Sequence, residues 1–170
     1  YHQRYTTWDA VRGQEGDAWQ PLVHFDGGPA CHRNICGEPK DNWVGQDFAN
    51  RSRMTDADQQ PQSCTFQKGL AFLEENHNQD NWFLQIETFD PHEPFFVQPE
   101  YQSQFQDNYT GPFCDWPDYR PVNQQDSPEF IDHIRQEYAA LLKMCDDNLG
   151  RVLDAIGTGI SFGRIPCSVV

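Results

Sequence analysis

Positive charge is scarce in this sequence. Twelve Lys and Arg stand against 26 Asp and Glu in 170 residues, a formal net charge of −14. Non-specific nucleic-acid binding depends on clustered Lys and Arg, so that partner class is excluded. An anionic ligand is also repelled overall, and an anion site needs positive charge of its own. No apolar run is long enough to span a membrane, so no membrane partner is expected. The amino end, Tyr1-His2-Gln3-Arg4-Tyr5, is not a signal peptide. It also lacks an initiating Met, which suits a processed or incomplete chain. A Gly-X-Ser-X-Gly elbow, a phosphate-cradling glycine loop and a dinucleotide fingerprint are all absent. Hydrophobic residues make up only 37% of the chain, which leaves a small core. Aromatics are plentiful, with 12 Phe, 6 Tyr and 5 Trp, and argue against disorder throughout.

The six cysteines (Cys31, Cys36, Cys64, Cys114, Cys145 and Cys167) are too scattered for a disulfide framework. Cys31 and Cys36 can form a local disulfide or bind metal with His32, but zinc requires a second ligand pair. Cys145 falls on an apolar helical face and reads as a small core residue. Two glycosylation sequons, Asn50-Arg51-Ser52 and Asn108-Tyr109-Thr110, are matches of a kind that chance supplies often.

Residues 1–60 are turn-rich. Asp26-Gly27-Gly28-Pro29 reads as a turn and Arg12-Gly13-Gln14-Glu15-Gly16-Asp17 as a polar loop. Trp8, Val11, Trp19, Leu22, Val23 and Phe25 are isolated anchors. A helix is expected over 63–76, capped by Ser63, with Phe66, Leu70 and Leu73 at helical spacing. A buried strand follows over 82–88, with Trp82, Leu84 and Ile86 on one face and Phe83, Gln85, Glu87 and Phe89 on the other. Residues 90–128 form a long loop with seven prolines, whose aromatics (Tyr101, Phe105, Tyr109, Phe113, Trp116, Tyr119) either pin it down or face a sugar. The clearest helix spans 127–156, with Ser127 as cap and Pro128 at the first position. Ile134, Tyr138, Leu141, Leu142, Cys145, Leu149, Val152, Leu153 and Ile156 trace one apolar face. Gly150 inside it suggests close packing against a neighbour. Residues 157–170 contain no acidic side chain and read as an atypical tail, derived from a frameshift or an unspliced intron. A flexible natural tail is the alternative. The helix leading into a strand predicts an α/β fold, with a mixed sheet and flanking helices.

The chemistry concentrates at Asp90-Pro91-His92-Glu93-Pro94-Phe95. The prolines stiffen the backbone around His92, just past the expected strand, where open α/β sheets keep their ligand sites. Asp90, Glu93 and Glu87 would favour an imidazolium if they lie close. Such a group donates a charge-assisted hydrogen bond to a sulfate or phosphate oxygen. Spacing alone equally allows a turn histidine bonded to its acidic neighbours.

This segment resembles the central Asp-Pro-His-Glu-Pro-Phe motif of the sulfatases, in the alkaline-phosphatase-like superfamily. Two further stretches are similar to that family in the same order. One is Tyr5-Thr6-Thr7-Trp8 with Arg12 to Asp17, and the other runs from Tyr138-Ala139-Ala140 through Cys145-Asp146 to Leu149-Gly150-Arg151-Val152-Leu153. The resemblance implies that residues 1–156 are the central part of a sulfatase catalytic domain, an incomplete α/β fragment of that fold. It implies hydrolysis of a sulfate ester, on a sulfated small molecule or carbohydrate, with His92 contacting the sulfate and protonating the leaving oxygen. It implies no role for Arg12 or Asp146. The family also uses formylglycine, made in a Cys/Ser-X-Pro-X-Arg motif, and Ca2+ held partly by an Asp-His-Gly segment; neither motif occurs here. Asp56 and Asp58 lack the rest of a calcium loop and read as solvated, so no metal ligand is assigned. The chain alone is therefore expected to be inactive, with exposed apolar faces on 82–88 and on the late helix. A phosphonate or phosphodiester hydrolase of the same superfamily, or a non-catalytic anion- or sugar-binding remnant, are the alternatives.

Overall fold

The computed structural model describes residues 4–24, 43–105 and 108–157. Helices α1 (Trp43–Arg51), α2 (Pro61–Asn76), α3 (Pro99–Gln102) and α4 (Pro128–Gly157) are joined by extended chain, with 3-10 turns at Ala57–Gln59 and Ser103–Phe105. The Asp26–Pro29 turn, Phe25, Cys31, His32, Cys36 and the 158–170 tail lie outside the described residues.

The long helix starts where its sequence says. Ser127 Oγ accepts from the Phe130 amide at 3.1 Å, satisfying one of the amide groups that a helix start leaves open. Ala140, Leu141 and Met144 of α4 meet Phe95 and Val97 in the core, with Tyr101, Phe105 and Ile134 packed at its edge. The buried face is rotated from the expected apolar stripe. Polar residues share it: Asn148 Nδ2 donates to Gln62 Oε1 and Ser63 Oγ, both at 3.1 Å, and Glu137 Oε2 accepts from Gln102 Nε2 at 3.0 Å. Those bonds set the rotation of α4, and Leu142 and Leu153 are left 44% and 46% exposed. A Cβ added at Gly150 would meet nothing within 4 Å among the described residues, contrary to the close packing expected there.

Helix α2 begins two residues before its expected start, at Pro61, after an extended Gln60. Ser63 is consequently not its cap; it is buried and bonded to Asn148. Helix α1 falls within a region read as turns. Its buried residues are Gly45, Asp47, Asn50 and Arg51, so it carries almost no apolar signal.

The expected mixed sheet is overturned: among the described residues there is no strand, and the architecture is helical. Residues 82–88 are extended and do alternate, with Trp82, Leu84 and Ile86 half-buried and Phe83, Gln85 and Glu87 exposed. Alternation decides which side chains turn inward, but a strand also needs a hydrogen-bonded neighbour. Here the inward side chains pack on α2. The Trp82 ring meets Phe72 edge-on at 5.3 Å, and Ile86 sits so close to Gly69 that a Cβ there would lie 2.3 Å from Ile86 Cδ1.

One buried charge cluster joins α1 to the two loops beside it. Arg51 pairs with Asp47 at 2.6 Å and Asp115 at 2.5 Å, and its guanidinium lies over the Phe48 and Phe96 rings. Burial alone would lower the Arg51 pKa, but the two carboxylates outweigh it and raise it. The Phe95 amide donates to the Asp115 carbonyl at 2.7 Å, fixing the end of the 90–95 turn. The long loop is pinned by its aromatics: Trp116 is buried, Tyr101 and Phe105 join the core edge, and Tyr109 stacks on His133 at 4.5 Å. Tyr119 alone of that group stands almost fully in solvent.

Candidate active site around His92

Two segments far apart in sequence meet at the site. The first is the 12–17 loop, closed by a two-pronged pair in which Arg12 Nε and Nη2 donate to Asp17 at 2.7 Å each. The Gly13 amide also donates to Asp17 Oδ2 at 2.8 Å. Asn50 of α1, fully buried, donates through Nδ2 to the Glu15 and Asp17 carbonyls at 2.8 Å. Gly13 takes φ +105, which glycine adopts without strain, whereas Glu15 takes φ +48 and carries the steric cost of a Cβ there.

The second segment is the 90–95 turn, whose Asp90-Pro91 and Glu93-Pro94 peptide bonds are both cis. His92 Nδ1 lies 2.8 Å from the Glu93 carbonyl. A carbonyl only accepts, so the proton resides on Nδ1 and Nε2 is the nitrogen left for a ligand. The same Nδ1 lies 3.3 Å from Glu93 Oε2 and 3.6 Å from Glu15 Oε1. The Phe89 ring covers the imidazole at 4.3 Å between centroids, and the side chain remains 43% exposed.

Three carboxylates thus gather at one imidazole. Asp90 is buried and accepts from Gln14 Nε2 at 2.9 Å. Burial pushes its pKa up to about 6, against the smaller lowering effects of Gln14 and His92. Burial likewise raises Glu15; His92 opposes that shift, while Asp47, Glu93 and Asp90 reinforce it. Glu87, expected beside His92, accepts a hydrogen bond from Gln85 at 2.8 Å.

Beside this cluster a groove of about 770 Å³ runs between the amino-terminal segment, α2 and residues 83–89. Trp8, Phe72, Phe83 and Phe89 line it together with Lys68 and Gln14. It is within the size range of small-molecule sites. The aromatic wall is therefore built by other residues than those of the 90–128 loop.

Sequence reading singled out His92 and its proline-flanked turn but missed Gln14 and Glu15 as neighbours of that turn. The available signal was Gly13 and Gly16 bracketing Gln14-Glu15, a spacing that marks a tight turn presenting two polar side chains. Arg12 anchors its own loop, and Asp146 is exposed on α4. Asp56 caps the 3-10 turn by accepting from the Asp58 amide at 2.9 Å. Cys64, Cys114 and Cys145 are free thiols. Cys145 accepts from Gln62 at 2.9 Å, and burial pushes its pKa up to about 11.

Sulfatases generally use a metal. Among the described residues, no group of three or more His, Cys, Asp or Glu is arranged to hold one. The side chains of the described residues do not fit the implied ion. No curated protein and no solved structure matches the chain. The sulfatase family model matches residues 8–159. That stretch holds the Arg12–Asp17 loop, the His92 turn and all four described helices, and the chain belongs to the sulfatase family.

Proposed function

We propose that this chain carries the acid-catalytic histidine of a sulfate-ester hydrolase acting on sulfated carbohydrates. His92 contacts the sulfate through Nε2. As the S–O ester bond breaks, protonated Nε2 gives its proton to the leaving oxygen and Nδ1 keeps its own. The observation that supports this is the arrangement at Nδ1, where the Glu93 carbonyl occupies one nitrogen and leaves Nε2 for a ligand, on a side chain 43% exposed. General acid catalysis of this kind contributes about 10²–10⁴-fold. The aromatic groove beside Phe89 supports a carbohydrate, whose C–H faces pack against rings.

Formylglycine as nucleophile and Ca2+ as metal belong to the same reading. The sequence holds neither Cys/Ser-X-Pro-X-Arg nor Asp-His-Gly, so the chain by itself is proposed to be inactive. Glu15, Glu93 and Asp90 also make the surroundings of His92 negative, so the chain alone is expected to bind sulfate only at about millimolar concentration.

The test is a titration of the chain, with 15N-labelled histidine, against a sulfated monosaccharide and its unsulfated parent. The expected result is a shift of the His92 imidazole signals with the sulfated sugar only, lost in His92→Ala. No shift at millimolar ligand overturns the reading. An equal response to a phosphonate ester favours the phosphonate or phosphodiester reading. A response to the unsulfated sugar favours a sugar-binding remnant.

A further inference from the structure

We propose that Glu15 is a positioning residue for His92, its carboxylate holding the protonated Nδ1 inward so that Nε2 faces the substrate. The inference rests on the role proposed above for His92. It starts from geometry that local sequence does not explain. Glu15 sits in the left-handed region at φ +48, in a loop with glycine at positions 13 and 16. A glycine at position 15 would remove that strain, so the structure keeps an acidic side chain where the backbone disfavours one. Non-glycine residues held in this way cluster at functional sites.

The backbone of the loop is fixed independently of that side chain. Asn50 holds the Glu15 and Asp17 carbonyls, and the Arg12–Asp17 pair closes the loop. The Glu15 carboxylate makes no hydrogen bond among the described residues, and its ion-pair neighbour is His92 Nδ1, at 3.6 Å. That separation is too long for a hydrogen bond and acts through charge. The charged groups facing this carboxylate are His92, Glu93 and Asp90 from the turn and Asp47 from α1.

The arrangement divides the work at Nδ1. The Glu93 carbonyl provides the acceptor, but it belongs to the residue next to His92 and travels with the same turn. Glu15 comes from a loop 77 positions away, anchored to α1, and so fixes the imidazole relative to the rest of the protein. Ring rotation that carries Nε2 inward would bring its lone pair toward this carboxylate, which repels it.

The test reads the His92 tautomer in the whole chain by 15N chemical shifts under neutral conditions. The wild type shows the Nδ1–H form in excess. Glu15→Ala lowers the ratio of Nδ1–H to Nε2–H roughly twofold to fivefold, the range expected for a partly exposed charge contact. Glu15→Gln keeps the shape and removes the charge; it lowers the ratio in the same direction, and Glu15→Asp restores part of it. A loop with only a structural role loses stability without moving this ratio. An unchanged ratio in Glu15→Gln overturns the proposal, and that variant decides if Glu15→Ala does not fold. A lowered ratio combined with no response of His92 to sulfated sugar keeps the positioning contact and overturns the anion-binding role. An unchanged ratio with a sulfated-sugar response does the reverse.

Discussion

Gln14 Nε2 donates to Asp90 Oδ1 at 2.9 Å, joining side chains 76 residues apart. This contact docks the 12–17 loop onto the His92 turn, and it places a carboxyl group in a buried position where ionisation is costly. The pKa of Asp90, about 6 in the folded chain against 3.8 unperturbed, is raised mainly by burial. A raised carboxyl pKa means the folded state holds a proton that the unfolded chain releases.

The sign of the pH effect follows. The stabilising contribution is fully present below about pH 4 and is lost as pH rises through about 6. A carboxyl pKa of about 6 in place of 3.8 corresponds to about 3 kcal/mol. Asp90→Asn keeps an acceptor for Gln14 and removes the titration. We expect it to stabilise the chain relative to wild type by about 1–3 kcal/mol at pH 8. At pH 4 the two should converge. Urea unfolding at both pH values checks this, and an equal difference at both would place the effect elsewhere.

What the sequence discloses depends on whether the physics is local. The α4 helix is legible because its Ser127-Pro128 start and the recurrence of Ile134, Tyr138, Leu141 and Cys145 are each set by residues a few positions apart, whereas the face it buries is set by other segments. His92 is legible because its two prolines are its neighbours. Helix α1 is not, because its inward side chains are the polar Asp47, Asn50 and Arg51, and Asn50 and Arg51 find partners in other segments. The 82–88 segment misleads for the opposite reason. Its alternation is real, but pairing is a property of two segments, and its inward side chains meet α2. The pairing of Glu15 with His92 shows locally only as the Gly13 and Gly16 bracket, which marks a turn but not its partner.

Arg51 provides a second prediction. It is enclosed by Asp47, Asp115 and two aromatic rings, with 7% of its side chain exposed. Removing it leaves two buried carboxylates without their cation. Arg51→Met should cost about 3–5 kcal/mol, as expected for breaking a buried pair from one side. Arg51→Lys should recover only part of this, since an ammonium cannot lie flat between Phe48 and Phe96 while serving both acids. Denaturant midpoints of the two variants check the order; a full recovery by Lys would reduce the site to simple charge neutralisation.

A third prediction concerns surface. Leu142 and Leu153 are about half exposed on α4, and Phe83 is 74% exposed on the extended segment. Exposed large apolar side chains promote association where they gather in a patch. Leu142→Gln with Leu153→Gln should change folding stability by no more than about 0.5 kcal/mol per site, because neither side chain is in the core. The pair should lower self-association measured by sedimentation at rising concentration. Unchanged association would mean that another surface drives it.

Two helix glycines separate backbone propensity from packing. Both lie inside helices, where alanine is favoured over glycine by about 1 kcal/mol. At Gly150 a Cβ meets nothing within 4 Å, so Gly150→Ala should stabilise by about that amount. At Gly69 the Cβ would stand 2.3 Å from Ile86 Cδ1 and 2.7 Å from Cγ1, so Ile86 must move off α2. Overpacking of this kind costs about 1–3 kcal/mol and offsets or exceeds the helix gain. Ile86→Ala makes room, so the double variant should be more stable than the sum of the single changes by about 1 kcal/mol or more. A double-mutant cycle in denaturant measures that coupling directly. Strict additivity would mean that the extended segment does not rest on α2 through Ile86, and that some other contact holds residues 82–88 beside the helix.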